Sequence, residues 1–520
     1  MNEGQSWDVI SPDLTRNDPA KQVSSGGPIT QDNTSVEYYC TIFAAAESAR
    51  VKDLLWTGSD DGRVNVSKDG GKTWTDVTPK GAPKWLMWNS IDPDPHTDGG
   101  AYLAGTLYKG GDFRPYLYKT KDYGQTWTKI VNGIDNQHFT RVVRADPNKQ
   151  GMLYAGTETG MYISFDDGAN WQPYQMNLPI VPITDLTIKN DNLIAATQGR
   201  SVWMIDDLTV LHQLNDGVAN AKAHLFKPMD SYRMGGFQNP KPRNEGMNRP
   251  AGVMVHFNLK DTSMTKDVSL SFYEADGDLI RTYSTKAEEK ADKLKVKEGG
   301  NQFAWNMTYP AAKKFDGMIM WWSSLNGPQA VPGDYKVTLK VGDIEQTQAF
   351  KILKDPRSEV SIADIQKQFD FIKGVGEKLT ETHEAIIDIR KVRDQLNNYK
   401  KLIGDDEDKK EIGDLADEIN EKMKKVEEAL YQTKNRSRQD PLNFPVRLNN
   451  KLGHLNSLIQ RGDYPPTDQM IEVRDEITKR IDTQLTEFEA IKNTDLPKFN
   501  QLVKDKAVDA IVLKKKESAM

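Results

Sequence analysis

The feature that most restricts what this 520-residue chain can fold into is a motif that recurs three times before residue 210. It reads SKDGGKTW at 67–74, TKDYGQTW at 120–127 and SFDDGANW at 164–171. Each copy begins with Ser or Thr and then places an Asp, a Gly and a Trp at fixed spacing: Asp69, Gly71 and Trp74; Asp122, Gly124 and Trp127; Asp166, Gly168 and Trp171. In a tight turn between two strands an Asp carboxylate accepts backbone N–H bonds. Gly supplies a positive φ that other residues resist, and the Trp ring packs beneath the hairpin. These nine residues are therefore read as structural. Before the copies run strand-like stretches broken by small residues, LLWTGSDDGRVNV, AYLAGTLYKGGDFRPYLYK and MLYAGTETGMYI. A fourth stretch, LIAATQGRSVWMIDD, keeps the strand pair but ends in Asp-Asp. Repeat units of roughly 45–65 residues built of short strands predict four-stranded propeller blades.

The boxes resemble the Asp-boxes of sialidase-type and sortilin-type propellers. Residues 1–210 resemble the bacterial sortilin-like, "glycosyl hydrolase BNR-repeat" family, above all through DDGRVNVSKDGGKTW, DFRPYLYKTKDYGQTW and ATQGRSVWMIDDL. That resemblance implies an exported bacterial protein (periplasmic, outer-membrane-associated or extracellular). It also implies a channel that binds peptide ligands, and a β then an α segment following the propeller. No local motif transfers an individual ligand-binding residue.

The chain changes character twice after residue 210. Residues 211–250 read as a linker, with a Gly-, Asn-, Pro- and Arg-rich strap at 232–250. Residues 251–355 alternate apolar and polar positions in GVMVHFNL, VSLSFYEADGDLIRTY, NQFAWNM and GDYKVTLKVGDIEQTQAFKIL. About seven such strands predict an immunoglobulin-like sandwich, and Phe303-Ala304-Trp305-Asn306 with Pro332-Gly333-Asp334-Tyr335 resembles flagellar-hook-cap-type Ig-like modules. Residues 358–520 turn to helical spacing. Ser361 caps one helix, Ile412, Leu415, Ile419, Met423, Val426 and Leu430 stripe a second, a shorter one spans 443–460, and Thr467 or Asp468 caps the last. An antiparallel helical bundle follows. The fold class is thus multidomain, mainly β and then α: a partial Asp-box propeller, an Ig-like sandwich and a helical bundle.

Composition narrows the function. Lys and Arg total 69 against 75 acids, a formal charge of −6, which argues against a nucleic-acid-coating protein. No apolar run is long enough to span a bilayer. The single Cys40 excludes an internal disulfide and a multi-cysteine zinc site. The seven histidines, His96, His138, His212, His224, His256, His383 and His454, lack metal-ligand spacing. The loop Asp92-Pro93-Asp94-Pro95-His96-Thr97-Asp98 departs from the calcium-binding pattern. No metal and no cofactor is expected.

Sialidase chemistry needs an arginine in a Phe-Arg-Ile-Pro string, and Phe113-Arg114-Pro115-Tyr116 does not match it. Xyloglucanase-type hydrolysis needs two carboxyls flanking the bond. Candidates outside the boxes are Asp60, Asp61, Asp98, Asp112, Asp135 and Glu158, many of them near turns, and no catalytic residue is nominated. The preferred function is a non-enzymatic binding or scaffold protein whose propeller loops hold a polypeptide or a glycan. Trp85, Trp88, Tyr108, Phe113, Tyr116, His138 and Phe139, lying between the boxes, are the candidate ligand-binding residues. The alternative is a glycoside hydrolase with its acid pair in, or shared with, a preceding propeller half. Asn2-Glu3-Gly4-Gln5-Ser6-Trp7 repeats the end of a box, so the expectation is a C-terminal portion of a longer propeller protein whose missing half is its partner. The stretch MNEGQSWDVISPDLT has no charged n-region or apolar h-region of a signal peptide.

Overall fold

A computed structural model of the chain describes residues 4–32, 38–235, 246, 248–404 and 406–508. Asn2 and Glu3 of the N-terminal box, most of the basic strap and the Lys514-Lys515-Lys516 tail lie outside the described residues. The fold is mainly antiparallel β-sheet followed by a C-terminal helical region. It divides into two compact units, Met1–Asn215 and Asp216–Met520.

The first unit is a succession of sheets in which each strand pairs with the next in sequence. Sheet one holds Ile42–Glu47, Leu55–Ser59, Val64–Ser67 and Thr75–Asp76. Sheet two holds Met87–Pro93, Ala101–Leu107, Asp112–Thr120 and Thr128–Lys129. Sheet three holds Thr140–Ala145, Leu153–Thr157, Gly160–Ser164 and Gln172–Pro173. Sheet four has three strands among the described residues, Ile183–Lys189, Asn192–Thr197 and Val202–Ile205.

One register irregularity repeats in every first strand. Phe43, Asn89, Arg141 and Thr184 are each skipped where the first strand pairs with the second. Beside each bulge the second strand carries a small residue, Gly58, Gly105, Gly156 or Ala196. The reason is close approach. A Cβ on Gly58 would stand 2.8 Å from the Cβ of Trp88, and one on Gly156 2.6 Å from Val142 Cγ1 and 2.8 Å from Ile183 Cγ2. The first strand of the following sheet therefore lies directly on the second strand of its predecessor. Apolar side chains meet between sheets, with Trp56 and Trp88 in the first such core, Leu117 and Trp171 in the second, and Tyr154 and Ile183 in the third.

The three motif copies turn between the third and fourth strands with one geometry. Asp69 Oδ1 accepts the Ser67 hydroxyl at 2.8 Å and the Thr73 N–H at 2.9 Å, while Oδ2 accepts the Thr73 hydroxyl at 2.6 Å. Asp122 repeats this with Thr120 and Thr126, and Asp166 with Ser164 and Asn170. The N–H of Gly71, Gly124 or Gly168 closes the turn on the same hydroxyl at 2.8–3.0 Å. The Thr73 hydroxyl and N–H hold Asp69 down at about 2, and the carboxyl of Asp122 is lowered by the same pair of bonds from Thr126. The tryptophans do more than line their own hairpins. Trp171 Nε1 donates to the Ile130 carbonyl at 2.8 Å, Trp127 Nε1 to Val77 at 2.7 Å and Trp74 Nε1 to Ile10 at 2.9 Å. The Trp127 and Trp171 indoles are thus bonded to the chain that leaves the preceding sheet, and Trp74 to the segment that runs before sheet one.

The second unit differs from the sequence reading in two places. Residues 211–250, expected as a linker, contribute two strands. Ala223–Leu225 joins a three-stranded sheet with Val253–Leu259 and Gly299–Trp305. Ser231–Arg233 pairs in parallel with Ile344–Lys354 on a five-stranded sheet that also holds Gly333–Val341, Val268–Glu274 and Leu279–Ser284. A common core joins the two sheets, centred on Phe272 stacked on Trp305 at 4.5 Å. The irregular stretch 306–331 is the second difference, because it packs on the helices. Phe315 sits edge-on to Tyr431 at 4.9 Å, His383 Nδ1 donates to the Lys313 carbonyl at 2.6 Å, and Asn450 exchanges bonds with both Trp321 backbone groups. Sheets and helices accordingly form one compact unit rather than two layers.

The helices are Ile362–Ile403, Lys410–Leu430, Leu448–Ile459 and Asp468–Ala490, the last continuing through a π-turn into Leu496–Asp505. Ser361 caps the first by accepting the Asp364 N–H, and Thr467 caps the fourth. All six apolar positions of the second helix stripe are buried. No described helix is long and apolar enough to cross a membrane.

Candidate functional site

Strand direction sorts the loops of the first unit to two ends. The motif turns lie with the hairpins that join first and second strands. Gly70, Tyr123, Asp167 and Leu208 donate their N–H groups to Asp53, Gly99, Gly151 and Asp191 at 2.8–2.9 Å. The opposite end gathers the segments entering the first strands and the hairpins joining second to third strands. There Asp60, Glu158 and Gln198 donate N–H groups to Thr41, Phe139 and Pro182 at 3.0–3.1 Å. This second end carries the aromatic residues, so it is the candidate ligand-binding rim.

Two aromatic groups stand on it. Trp85, held at a φ of 67°, meets the edge of Tyr39 at 5.5 Å, with Lys21 5.7 Å from the Trp85 ring and Lys109 5.3 Å from the Tyr39 ring. Tyr108, next to Lys109 in the chain, stacks on Phe139 at 5.3 Å, and Phe113 leans on Phe139 at 6.1 Å. The Arg141 guanidinium lies 5.4 Å from the Phe139 ring, and Glu158 holds its Nε at 2.6 Å. Arg141 is the bulged residue of its strand, which turns it away from the ladder and toward the rim.

The sequence candidates separate on burial. Trp85, Tyr108 and His138 are half-buried and Phe113 is 46% exposed. Trp88, Tyr116 and Phe139 correct the sequence reading, Phe139 being buried beneath Tyr108 and Phe113. Trp88 is fully buried, edge-on to Tyr118 at 5.7 Å, because the bulge after it keeps its ring between sheets one and two. Tyr116 is buried too, with only its hydroxyl directed to Asp112 Oδ2 at 2.6 Å. Burial and that carboxylate push its phenol up to about 12, so it remains a donor at neutral pH. His138 Nδ1 and the Tyr162 hydroxyl share a hydrogen bond of 2.8 Å. Arg141, Lys109 and Tyr39 escaped the sequence reading, since nothing in their local pattern distinguishes them from surface residues.

The candidate carboxylates are engaged in local structure. Arg114 clasps Asp112 through Nε at 2.9 Å and a second nitrogen at 2.6 Å, and drives its carboxyl well below the ordinary range. Asp98 pairs with Arg50, Asp135 accepts the Gln137 N–H, and Glu158 holds Arg141. Asp61 accepts the Arg16 N–H at 2.6 Å and a hydroxyl bond from Ser59. Asp60 accepts the Cys40 and Thr41 N–H groups at 2.9 Å. Burial raises the Asp60 carboxyl above its ordinary value, with nearby Asp61 adding to the effect. The Asp92–Asp98 loop spends its acids similarly: Asp92 Oδ2 accepts the Ala145 N–H and Asp94 Oδ1 the His96 N–H. Among the described residues no group of three or more His, Cys, Asp or Glu side chains is placed to hold a metal ion. What the rim offers chemically is aromatic surface flanked by cations and by the carboxylates of Asp60, Asp61, Asp112 and Glu158.

No family model matches the chain. An oligoxyloglucan-reducing end-specific xyloglucanase of Emericella nidulans is 26% identical over 109 residues, which are 20% of this chain and 13% of that enzyme. Among solved structures, YCF48 bound to D1 peptide is 21% identical, with 32% of this chain and 52% of that one covered and a TM-score of 0.26. A GH74 xyloglucanase from Xanthomonas campestris is 14% identical over 59% and 45%, TM-score 0.26. PorZ, a surface component of the type-IX secretion system of Porphyromonas gingivalis, is 12% identical over 60% and 45%, TM-score 0.26. The chain spans about half the length of these solved structures and a much smaller part of the curated relative.

Proposed function

We propose that the chain is a non-catalytic binding protein of the Asp-box propeller type, sortilin-like in its repeats, with an Ig-like sandwich and a helical bundle following them in sequence. Its rim holds an extended polypeptide or glycan. The observation that supports this most is a pair of aromatic groups on one rim, Trp85 with Tyr39, and Tyr108 and Phe113 seated on the buried Phe139, with Lys21, Lys109 and Arg141 against their rings. Aromatic faces of this kind stack on sugar rings and on apolar side chains, while the cations and Glu158 supply polar contacts at the edge. An extracellular or periplasmic location accords with such a role.

The test is a binding screen with xyloglucan oligosaccharides in one arm and a peptide library in the other. Trp85→Ala and Tyr108→Ala should each weaken the bound class at least tenfold while the thermal midpoint holds. Binding untouched by both substitutions would sink the proposal. A second reading, glycoside hydrolysis, is favoured by the sequence similarity to the Emericella nidulans xyloglucanase. It predicts sugar release that Asp60→Asn abolishes, since a buried acid with a raised pKa suits a proton donor.

A further inference from the structure

The two extremes of the first unit are complementary. At one of them, residues 8–14 run along sheet one in the place that residues following a motif tryptophan take along the next sheet. Ile10 stands three residues after Trp7, as Val77 stands after Trp74 and Ile130 after Trp127. Its carbonyl accepts the Trp74 indole, as theirs accept Trp127 and Trp171. A Cβ on Gly71 would touch Ile10 just as one on Gly124 would touch Val77 and one on Gly168 would touch Ile130. So Trp7 to Ile10 has the placement of a motif tryptophan and a fourth strand. Yet Trp7 is 88% exposed and Val9 94%.

Sheet four presents the reverse. Its third strand, Val202–Ile205, is an edge, with Val202 and Met204 64% and 56% exposed. The start of the motif turn survives there: Leu208 bonds the Asp191 carbonyl as Asp167 bonds Gly151. The chain then enters the short helix Thr209–His212 instead of reaching a tryptophan. Beside this edge is an apolar groove of about 150 Å³, lined by Tyr174, Leu193, Ala195, Trp203 and Met204. By register, Leu193, Ala195 and Trp203 match Leu153, Ala155 and Tyr162, which surround Trp171 in sheet three. Tyr174 stands three residues after Trp171, the position of Val77 and Ile130. The groove therefore has the lining of a motif-tryptophan socket.

We propose that sheet four receives the extended Trp7–Ile10 segment of a second copy of this chain as its fourth strand, with the Trp7 indole in the groove and its Nε1 donating to the Tyr174 carbonyl. The occupant is a second copy because the chain carries both halves of the contact, strand and socket. Two copies satisfy each other reciprocally, each giving its Trp7 segment and receiving its partner's. The register follows from the other sheets. The residue after each tryptophan faces the one before the motif Ser or Thr, as Thr75 faces Val66, Thr128 faces Lys119 and Gln172 faces Ile163. Asp8 of one copy thus faces Met204 of the other.

Light scattering behind size exclusion, across a wide concentration range, should give twice the mass of one chain. Trp7→Ala should return it to the single-chain mass with the far-ultraviolet circular dichroism unchanged, since that ring is exposed in the single chain. In a Cys40→Ser background, chains carrying Asp8→Cys mixed with chains carrying Met204→Cys should form a mixed disulfide under mild oxidation. A single-chain mass at every concentration with no mixed disulfide would overturn the proposal. So would a dimer that Trp7→Ala leaves intact, because that dimer would use another surface.

Discussion

Trp127 closes the turn of sheet two, but its indole nitrogen is bonded to the carbonyl of Val77, which leaves sheet one. The same bond recurs from Trp171 to Ile130, so the motif joins neighbouring sheets as well as shaping its own hairpin, and Trp74 bonds Ile10 in the segment before sheet one.

The substitution Trp171→Phe tests that join. It keeps most of the ring and removes the donor, leaving the Ile130 carbonyl buried without it. Loss of one buried partner costs about 1–3 kcal/mol, and Trp171→Ala should cost about 3–5 kcal/mol. Trp171 is 5% exposed whereas Trp74 is half-buried, so Trp74→Phe should cost less in the same denaturant titration.

Close approach between sheets makes a second prediction. Gly156 has an ordinary φ, so Gly156→Ala brings no backbone strain. Its new methyl would stand 2.6 Å from Val142 and 2.8 Å from Ile183. Overpacking of this kind costs roughly 1–3 kcal/mol. Gly300→Ala, where nothing lies within 4 Å, is the control and should be neutral or slightly stabilising. Equal midpoints for the two variants would contradict the packing account.

These contacts show what was legible in the sequence and what was not. The Asp, Gly and Trp of each motif stand out because one turn needs all three chemistries within eight residues. Their acceptors Ile10, Val77 and Ile130 do not, because any aliphatic residue can lend a carbonyl. Trp85 and Trp88 look alike in Trp-Leu-Met-Trp, yet one stands on the rim and the other is buried. The difference comes from a bulge at Asn89 that no local pattern announces. Ser231–Arg233 and 306–331 were illegible for a related reason: their backbone groups are satisfied by strands and helices more than a hundred residues away.

Asp92 makes stability depend on pH. It lies on the first strand of sheet two, and burial lifts its carboxyl from the ordinary 3.8 to about 6, against the bond from Ala145 and the charge of Arg144. The folded chain therefore holds this proton more tightly than the unfolded chain. The favourable contribution is full below about 4 and is lost as pH rises through about 6. Asp92→Asn, which still accepts the Ala145 N–H, should raise stability on the order of 1 kcal/mol at pH 7.5 and leave it unchanged near pH 4. Melting curves at the two pH values decide it; an equal shift at both would exclude titration as the cause.

Arg233 ties the expected linker to the helical region. Its side chain is 5% exposed and its ion-pair partner, Asp463, precedes the fourth helix. Removing one member of such a pair strands the other charge in a poorly solvated place, which costs about 3–5 kcal/mol when both are buried. Asp463 is 31% exposed, so water offsets part of the loss and Asp463→Ala should cost about 2 kcal/mol. Replacing both, as Arg233→Met with Asp463→Ala, removes the stranded charge. The double variant should therefore be more stable than Asp463→Ala alone. Additive losses in this double-mutant cycle would mean that the two groups do not interact, and that Arg233 holds the Ser231–Arg233 strand in place by packing alone.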